Sequence, residues 1–284
     1  MMNNQSYDSF WNTAKRGFMR MPTAIRWIIG STTIVFLIQM LGGNFVNNLL
    51  FQAFAFDPSF PTVFIQPWRL ITYAFLHVGF LHFLFNMLWL YWIGRSVEET
   101  IGPRSFTVVY FSAAIFGALL DAIYANIFGL IPVIGASGAV TGVLVAFAML
   151  YPRAPIMLFL LPPIEARYFV VGWVLIDVLF IGKQDSVARL VHIGGALSGY
   201  LLLKAYKNGT DLSVIIRYFE YLFGKLKPSR KPRNNNMSIV RDVEVVEEVE
   251  QSELDEILEK ISKDGYDALT KEEKQKLFEL SKKK

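Results

Sequence analysis

Six apolar segments constrain the fold of this chain more than any other feature. A helix needs about 20 residues to cross about 30 Å of hydrocarbon, and a bilayer offers no water to unpaired backbone groups, so such segments must be helical. The chain has 284 residues, 53% hydrophobic and 18% charged. It is therefore predicted to be an all-α membrane protein, with spans at about 26–45, 78–95, 105–126, 135–151, 166–182 and 188–206.

Basic residues cluster at alternate ends of these segments, and the positive-inside rule assigns those ends to the cytoplasm. Both termini are then predicted to be cytoplasmic, and the loop from Asn44 to His77 faces the other side. The first apolar run is long and lacks a signal-peptidase pattern, which favours a retained helix over a signal peptide. The residues that set this orientation are Lys15, Arg16, Arg20, Arg26, Arg95, Arg104, Arg153, Arg167, Lys204 and Lys207.

Charge and cysteine content exclude several function classes. The chain has no cysteine, so disulfides, thiol catalysis and thiolate metal sites are excluded. The net charge of +4 is small and flanks the apolar region, a pattern that suits a membrane surface rather than a nucleic acid.

The composition changes beyond Lys225 to a polar stretch, "KPSRKPRNNN", and then to charged sequence. Capping-box patterns at Ser252 with Asp255 and at Thr270 with Glu273 each precede apolar residues at helical spacing. They predict a small cytoplasmic helical hairpin of unknown partner, a weakly ordered tail being the alternative. The predicted organisation is an N-terminal segment 1–25, a membrane core 26–207, a linker 208–250 and the hairpin 251–284.

The three histidines of the chain lie within or beside predicted spans, where polar groups are costly and frequently functional. His82 and Asn86 are at positions i and i+4 and share one helix face, from which both can donate hydrogen bonds to one point. Interhelical hydrogen bonding is the structural alternative. No metal site is predicted, because no carboxylate or cysteine stands at a useful spacing from the histidines.

The segment "GASGAVTG" places Ser137 among glycines at the start of a helix. Gly138 with Gly142, and Gly195 with Gly199 in "HIGGALSG", form two small-xxx-small pairs that allow close helix packing. Packing through these faces would bring His192 to Ser137, where an imidazole can act as the base that activates the hydroxyl. The alternative is a glycine packing motif without chemistry. Asp121 and Asp177 are interpreted as polar anchors, and the alternative is that one of them orients His192 or belongs to a proton path.

Taken in order, these motifs resemble the rhomboid family of intramembrane serine proteases. The pieces that carry the resemblance are Trp68 and Arg69, "HFLFN" from His82 to Asn86, Glu98, "GASG" from Gly135 to Gly138, and "HIGGALSG" from His192 to Gly199. The resemblance implies a rhomboid-like bundle of six transmembrane helices. It also implies structural support from Trp68, Arg69, Glu98, Gly135, Gly138, Gly142, Gly195 and Gly199.

The resemblance further implies a catalytic dyad that needs no carboxylate, with Ser137 as nucleophile and His192 as general base. His82, Asn86 and the backbone N–H of Ser137 would form the oxyanion hole. A cap loop around "GKQDS" would control water. One departure concerns Thr141, because family members often have an aromatic residue at this position against the histidine.

The function that follows is cleavage of transmembrane-helix substrates through an acyl-enzyme, in the plasma (inner) membrane of a bacterium. Substrate membrane proteins and the lipid bilayer are the implied partners, and neither a nucleic acid nor a cofactor is implied. Two alternatives remain. A non-catalytic rhomboid-fold protein would bind transmembrane clients, and a small transporter or channel would show internal repeats, which the sequence lacks.

Overall fold

The computed structural model describes residues 10–157, 162–182, 188–226, 255–263 and 265–282. Its regular structure is almost entirely helical. Contacts divide the chain into two compact units, Met1–Gly224 and Lys225–Lys284, which are described separately below.

The first unit contains eleven α-helices within its described residues. They are α1 Phe10–Met19, α2 Thr23–Leu41, α3 Gly43–Phe54, α4 Phe60–Ile65, α5 Arg69–Thr72, α6 Phe80–Ile101, α7 Pro103–Phe128, α8 Ser137–Leu150, α9 Ala166–Leu179, α10 Arg189–Lys207 and α11 Val214–Leu226. A 3₁₀ turn, Tyr73–Phe75, extends α5. Two short antiparallel strands, β1 Pro155–Ile156 and β2 Ile164–Glu165, connect α8 to α9.

Each of the six predicted spans contains a helix, but the helices differ in their capacity to cross a membrane. By length and apolar composition, α2 and α7 are long enough, and the segment Arg69–Phe75 joined to α6 across a bend of 102° makes a third. Helices α8 and α9 have 14 residues each, about 21 Å at 1.5 Å per residue, which is shorter than a hydrocarbon core. Helix α10 contains Arg189, Lys204 and Lys207.

Helices α7, α8 and α10 pack against one another and form the centre of the first unit. Their contact faces consist of small residues. Ala114, Ala118 and Ala122 lie buried at helical spacing along α7, and glycines of α8 and α10 meet backbone to backbone. Small side chains allow helix axes to approach closely, and this is the main source of helix association where lipid removes the hydrophobic driving force.

The buried carboxylate of Glu98 fixes the start of α2. Its two oxygens accept hydrogen bonds from the backbone N–H groups of Ala24 (2.8 Å) and Ile25 (2.9 Å). The first N–H groups of a helix have no partner within the helix, so this side chain satisfies two of them and joins α6 to α2.

The loop between α2 and α6 is helical rather than irregular. Trp68 donates its indole N–H to the carbonyl of Ala53 (3.0 Å). The Arg69 guanidinium donates to the carbonyls of Gln52 and Ala55, which belong to the end of α3 and the residue after it. The Trp-Arg pair therefore ties α5 back to α3. Several large apolar side chains of this loop are exposed, among them Phe45, Leu49, Phe60, Phe64 and Ile65.

The region predicted as a linker, 208–250, contains α11. Arg104 of α7 forms an exposed ion pair with Glu220 of this helix (3.0 Å). The exposed side chains of α11 include Ile215, Tyr218 and Phe219. Residues 227–250 lie outside the described ranges, as do Ser252 and the rest of 251–254.

The second unit contains a helix over residues 255–263, here α12, a 3₁₀ turn Tyr266–Ala268, and α13 Lys271–Lys282. The predicted capping box at Thr270 is present: the hydroxyl of Thr270 accepts from the N–H of Glu273 (3.3 Å), and the Glu273 carboxylate accepts from the N–H of Thr270 (2.7 Å). Lys260 also donates to that carboxylate (2.9 Å), which joins α12 to α13.

Candidate active site

Ser137 is the first residue of α8, and the backbone before it is tightly held. Gly135 has φ +126°, a conformation that side chains other than glycine rarely adopt. Its N–H donates to the carbonyl of Tyr73 (3.0 Å). The turn places the Ser137 hydroxyl at the positive end of α8, where backbone N–H groups point out of the helix.

His192 lies in the first turns of α10 with its ring directed at Ser137. The distance from His192 Nε2 to Ser137 Oγ is 2.8 Å, within hydrogen-bonding range. The ring is buried and Ser137 is half-buried. A buried imidazole within hydrogen-bonding distance of a serine hydroxyl is an arrangement that can activate the oxygen as a nucleophile.

The glycine pairs of α8 and α10 create this proximity. A Cβ atom on Gly138 would lie 2.5 Å from the Val191 side chain and 3.0 Å from its carbonyl oxygen. Gly195 and Gly199 face the carbonyl oxygens of Gly138 and Gly142. Any larger residue at these positions would push α10 away from α8 and increase the distance between His192 and Ser137.

Asp177 of α9 contacts the other nitrogen of the same imidazole. Its Oδ2 lies 3.1 Å from His192 Nδ1, and both side chains are less than a tenth exposed. The favoured interpretation of Asp177 as a polar anchor is therefore wrong, and the structure agrees with the alternative, a carboxylate beside His192. The favoured interpretation failed because the length of the connection between α9 and α10 does not reveal the depth of Asp177 relative to His192.

His82 and Asn86 lie on one face of α6, as their spacing predicts. A Cβ on Gly135 would lie 2.6 Å from the His82 ring, so this ring packs against the turn that presents Ser137. Asn86 is buried, and its amide donates one hydrogen bond to the carbonyl of His82 (2.8 Å). The amide has a second N–H available for another acceptor.

Thr141 does not contact the His192 ring in the manner of an aromatic residue. Its hydroxyl donates to the carbonyl of Ser137 (2.8 Å), one turn earlier in α8. The aromatic neighbour of His192 comes instead from α9, where the Trp173 ring lies 6.5 Å from the imidazole, centroid to centroid. Sequence analysis missed Trp173, although its i, i+4 spacing to Asp177 was the available signal.

Other predicted features do not join this centre. Trp68 and Arg69 tie α5 to α3 in the loop between α2 and α6. Glu98 binds the start of α2. His77 packs edge-on against His82, with ring centroids 5.1 Å apart. Within the described ranges no group of three or more His, Asp or Glu side chains has a geometry suited to a metal ion. The predicted cap loop around "GKQDS" falls largely on 183–187, outside the described residues.

Comparison with protein families gives two matches. A family model described as "Rhomboid domain" matches residues 65–207, half of the chain and all of the centre around Ser137. A second model, a family of unknown function designated DUF6576, matches residues 247–283, the region that contains α12 and α13.

Similar curated proteins carry related names. Rhomboid protease GluP of Bacillus subtilis is 28% identical over 65% of this chain and 35% of its own length. Rhomboid protein 1, mitochondrial, of Saccharomyces cerevisiae is 35% identical over 45% of this chain and 38% of its own. Rhomboid-like protease 3 of Toxoplasma gondii is 28% identical over 70% and 74%. The chain thus spans little more than a third of the length of the first two.

Proposed function

This chain belongs to the rhomboid family of integral membrane proteins, and from that premise we propose that it is an intramembrane serine endopeptidase. Its substrates would be proteins with transmembrane helices, cleaved at a peptide bond within or near the bilayer. The chain would cross the plasma (inner) membrane of a bacterium six times, through α2, α6, α7, α8, α9 and α10, with both termini in the cytoplasm.

The observation that carries this proposal is the 2.8 Å contact between Ser137 Oγ and His192 Nε2 at the start of α8. A serine hydroxyl is a weak nucleophile until a base within hydrogen-bonding distance removes its proton. An imidazole suits this task near neutral pH. Both residues lie within the matched rhomboid domain, and two of the relatives are named proteases.

In the first half of the reaction, Ser137 Oγ attacks the carbonyl carbon of the scissile peptide bond, and its proton passes to His192 Nε2. The C–N bond then breaks, and His192 returns that proton to the leaving amine. In the second half, a water molecule attacks the acyl ester, with its proton taken by His192. Collapse of this intermediate releases a carboxylic acid, and the proton returns to Ser137 Oγ.

Each attack produces a negative oxygen that needs hydrogen-bond donors in place beforehand. The second amide N–H of Asn86, the His82 ring and the backbone N–H of Ser137 are the proposed donors. They would act at the positive end of α8 in a site that excludes bulk water, where such donors stabilise charge far more than they would in water.

The substrate helix must loosen before it can react. Its carbonyl groups are held in helical hydrogen bonds, and releasing one within the bilayer leaves a polar group without a partner. Helix-weakening residues near the cleaved bond would lower that cost. We therefore expect the polar cluster around Ser137 to receive an unwound segment of substrate together with water.

Labelling of the active serine tests this proposal. The purified, detergent-solubilised full chain would be treated with a fluorophosphonate, which forms an O–P bond to an activated serine and releases fluoride. We expect the wild type to be labelled, and Ser137→Ala and His192→Ala to lose labelling. Ser198→Ala is a matched control on α10, because this buried hydroxyl has no hydrogen-bond partner within the described ranges, and it should label like the wild type.

Cleavage of a reconstituted transmembrane substrate in liposomes completes the test, with the same four proteins compared. A folded wild type that neither labels nor cleaves would contradict the proposal. That outcome would favour the alternative, a rhomboid-fold protein that binds transmembrane clients without cutting them, and co-purification of an intact client would then be the decisive observation.

A further inference from the structure

Both nitrogens of the His192 imidazole make polar contacts. Only the contact with Ser137 belongs to a Ser-His dyad. Nε2 faces Ser137 at 2.8 Å, while Nδ1 faces the Asp177 carboxylate at 3.1 Å. The residues come from three helices, α8, α9 and α10. The contacts therefore run from Ser137 through His192 to Asp177.

We infer that Asp177 is a positioning residue for His192, so that in this chain a carboxylate extends the Ser137–His192 dyad into a Ser-His-Asp triad. The inference rests on the proposed protease function and adds a residue that neither the dyad description nor the comparisons assign. Asp177 would have two effects. It would hold one tautomer of the imidazole, and it would stabilise the imidazolium that forms when Ser137 attacks.

The tautomer argument follows from counting protons. A neutral imidazole carries one N–H, and an ionised carboxylate can only accept a hydrogen bond. The contact with Asp177 therefore puts the proton on Nδ1 and leaves the Nε2 lone pair directed at the Ser137 hydroxyl. This is the tautomer a general base needs, because the opposite one would present an N–H to Ser137 and remove no proton.

Burial makes the pairing necessary. The side chains of His192 and Asp177 are 8% and 7% exposed, and burial of a carboxylate is strongly destabilising unless the carboxylate is paired. The titratable side chains near the imidazole on neighbouring helices are the Asp177 carboxylate of α9 and the imidazole of His82 on α6. Of the two, only a carboxylate can carry the negative charge that balances an imidazolium.

The same helix also replaces the aromatic residue that Thr141 does not provide. Trp173 and Asp177 stand at i and i+4, so both face α10. The Trp173 ring lies 6.5 Å from the imidazole at an interplanar angle of 36°, while the Thr141 hydroxyl is bonded to its own helix. In this chain α9 supplies both the ring neighbour and the carboxylate that orient His192.

Three substitutions at Asp177 separate charge from shape. Asp177→Asn keeps size and removes the charge, Asp177→Ala removes both, and Asp177→Glu keeps the charge on a longer side chain. Asp121→Asn is the matched control, because it makes the same change at the other acid within a predicted span, on α7. Elution profile and thermal unfolding in detergent identify any variant that fails to fold.

The kinetic readout is fluorophosphonate labelling of Ser137, resolved into a maximal rate and a half-saturating concentration. For Asp177→Asn we expect the maximal rate to fall on the order of 10²- to 10⁴-fold, with the half-saturating concentration changed by less than about threefold. Asp177→Glu should retain more activity than Asp177→Asn, and Asp121→Asn should match the wild type. If Asp177 had a purely structural role, the fall in labelling rate would instead parallel the loss of thermal stability. Asp177→Glu would then not restore the rate.

The second readout needs no activity. The chain has three histidines, so a ¹⁵N-histidine-labelled full chain gives few imidazole signals, and His192→Ala identifies those of His192. We expect the proton on Nδ1 in the wild type and a mixture of tautomers in Asp177→Asn. A proton on Nε2 in the wild type would overturn the inference.

The outcomes distinguish the two proposals. A wild type that labels, together with an Asp177→Asn variant that labels equally fast, would reject the triad and leave the protease function standing. A folded wild type without labelling would reject the protease function and the catalytic role of Asp177 with it, while the tautomer measurement would still decide whether Asp177 orients the imidazole.

Discussion

The carbonyl oxygen of Gly138 occupies the space that a Cβ atom on Gly195 would fill. The backbones of α8 and α10 are therefore in direct contact at the residue after Ser137 and about one turn beyond His192. This contact sets the separation of the two reacting side chains, because each lies only a few residues from a glycine of the pair. Packing and chemistry are thus determined by the same two helix faces.

Gly195→Ala should destabilise the protein and slow serine labelling together. The added methyl group meets backbone rather than a movable side chain, so α10 must shift, which we expect to cost about 1–3 kcal/mol. Gly172→Ala on α9 is the control, since a Cβ there meets no atom within 4 Å. It should leave unfolding unchanged or slightly improved. Equal melting temperatures for the two variants in mild detergent would contradict this account of α8 and α10.

Glu98→Gln should destabilise the protein far more than Glu99→Gln, although the two residues are adjacent on α6. The Glu98 carboxylate accepts two backbone hydrogen bonds at the start of α2, and a glutamine has only one oxygen to replace them. Leaving a buried N–H without a partner costs about 1–3 kcal/mol.

Glu99 provides the comparison because its ion pair with Arg95 is half exposed. Such an exposed i, i+4 pair is screened by solvent and contributes little to the free energy of folding. Chemical unfolding of both variants in detergent measures the difference. The same midpoint for the two variants would show that Glu98 does not cap α2.

Much of the helical arrangement could be predicted because apolar segments end where polar and glycine residues begin. The segments at 105–126 and 135–151 differ by only a few residues from α7 and α8. Helices α3 and α4 were not predicted, because with 12 and 6 residues they are too short to span a membrane and fall in the segment interpreted as a loop. The strands β1 and β2 have only two residues each, and their pairing is set by the two helices they join.

The candidate site was predictable in part for a similar reason. Small-xxx-small pairs on two helices indicate contact, which is enough to place His192 near Ser137. The partner of Nδ1 could not be found this way, because a pattern of spacing gives the face of α9 but not its depth relative to α10. Asp177 and His192 are 15 positions apart, and only the packed structure brings them to one level.

Gly135→Ala should reduce serine labelling by at least about tenfold, through displacement of the His82 ring and of Ser137. A methyl group at Gly135 would lie 2.6 Å from that ring. Gly129→Ala separates the clash from backbone strain, because Gly129 also has a positive φ, +138°, but a Cβ there meets nothing within 4 Å. Both variants carry a strain of about 1–3 kcal/mol, yet only Gly135→Ala should lose labelling. Equal labelling of the two would mean that His82 does not support the serine.

The capping box at the start of α13 makes the stability of this helix depend on pH. Hydrogen bonds from the N–H of Thr270 and from Lys260 lower the pKa of Glu273 below its ordinary value of 4.5. A carboxyl group whose pKa is lower in the folded state contributes its full stabilisation above the pKa of the unfolded state. That stabilisation is lost as the pH falls below about 4.5 and through the lower folded value.

Hydrogen exchange of the full chain measures this effect at the first turns of α13. We expect Glu273→Gln and Thr270→Ala to exchange faster than the wild type at pH 7. The difference between wild type and Glu273→Gln should shrink as the pH falls below about 4.5, because the wild-type carboxyl is then protonated as well. Glu272→Gln is the control, since it removes a charge from the same helical turn without breaking the Thr270 hydrogen bonds. If it exchanges as fast as Glu273→Gln, the effect comes from helix-dipole charge and not from the capping box.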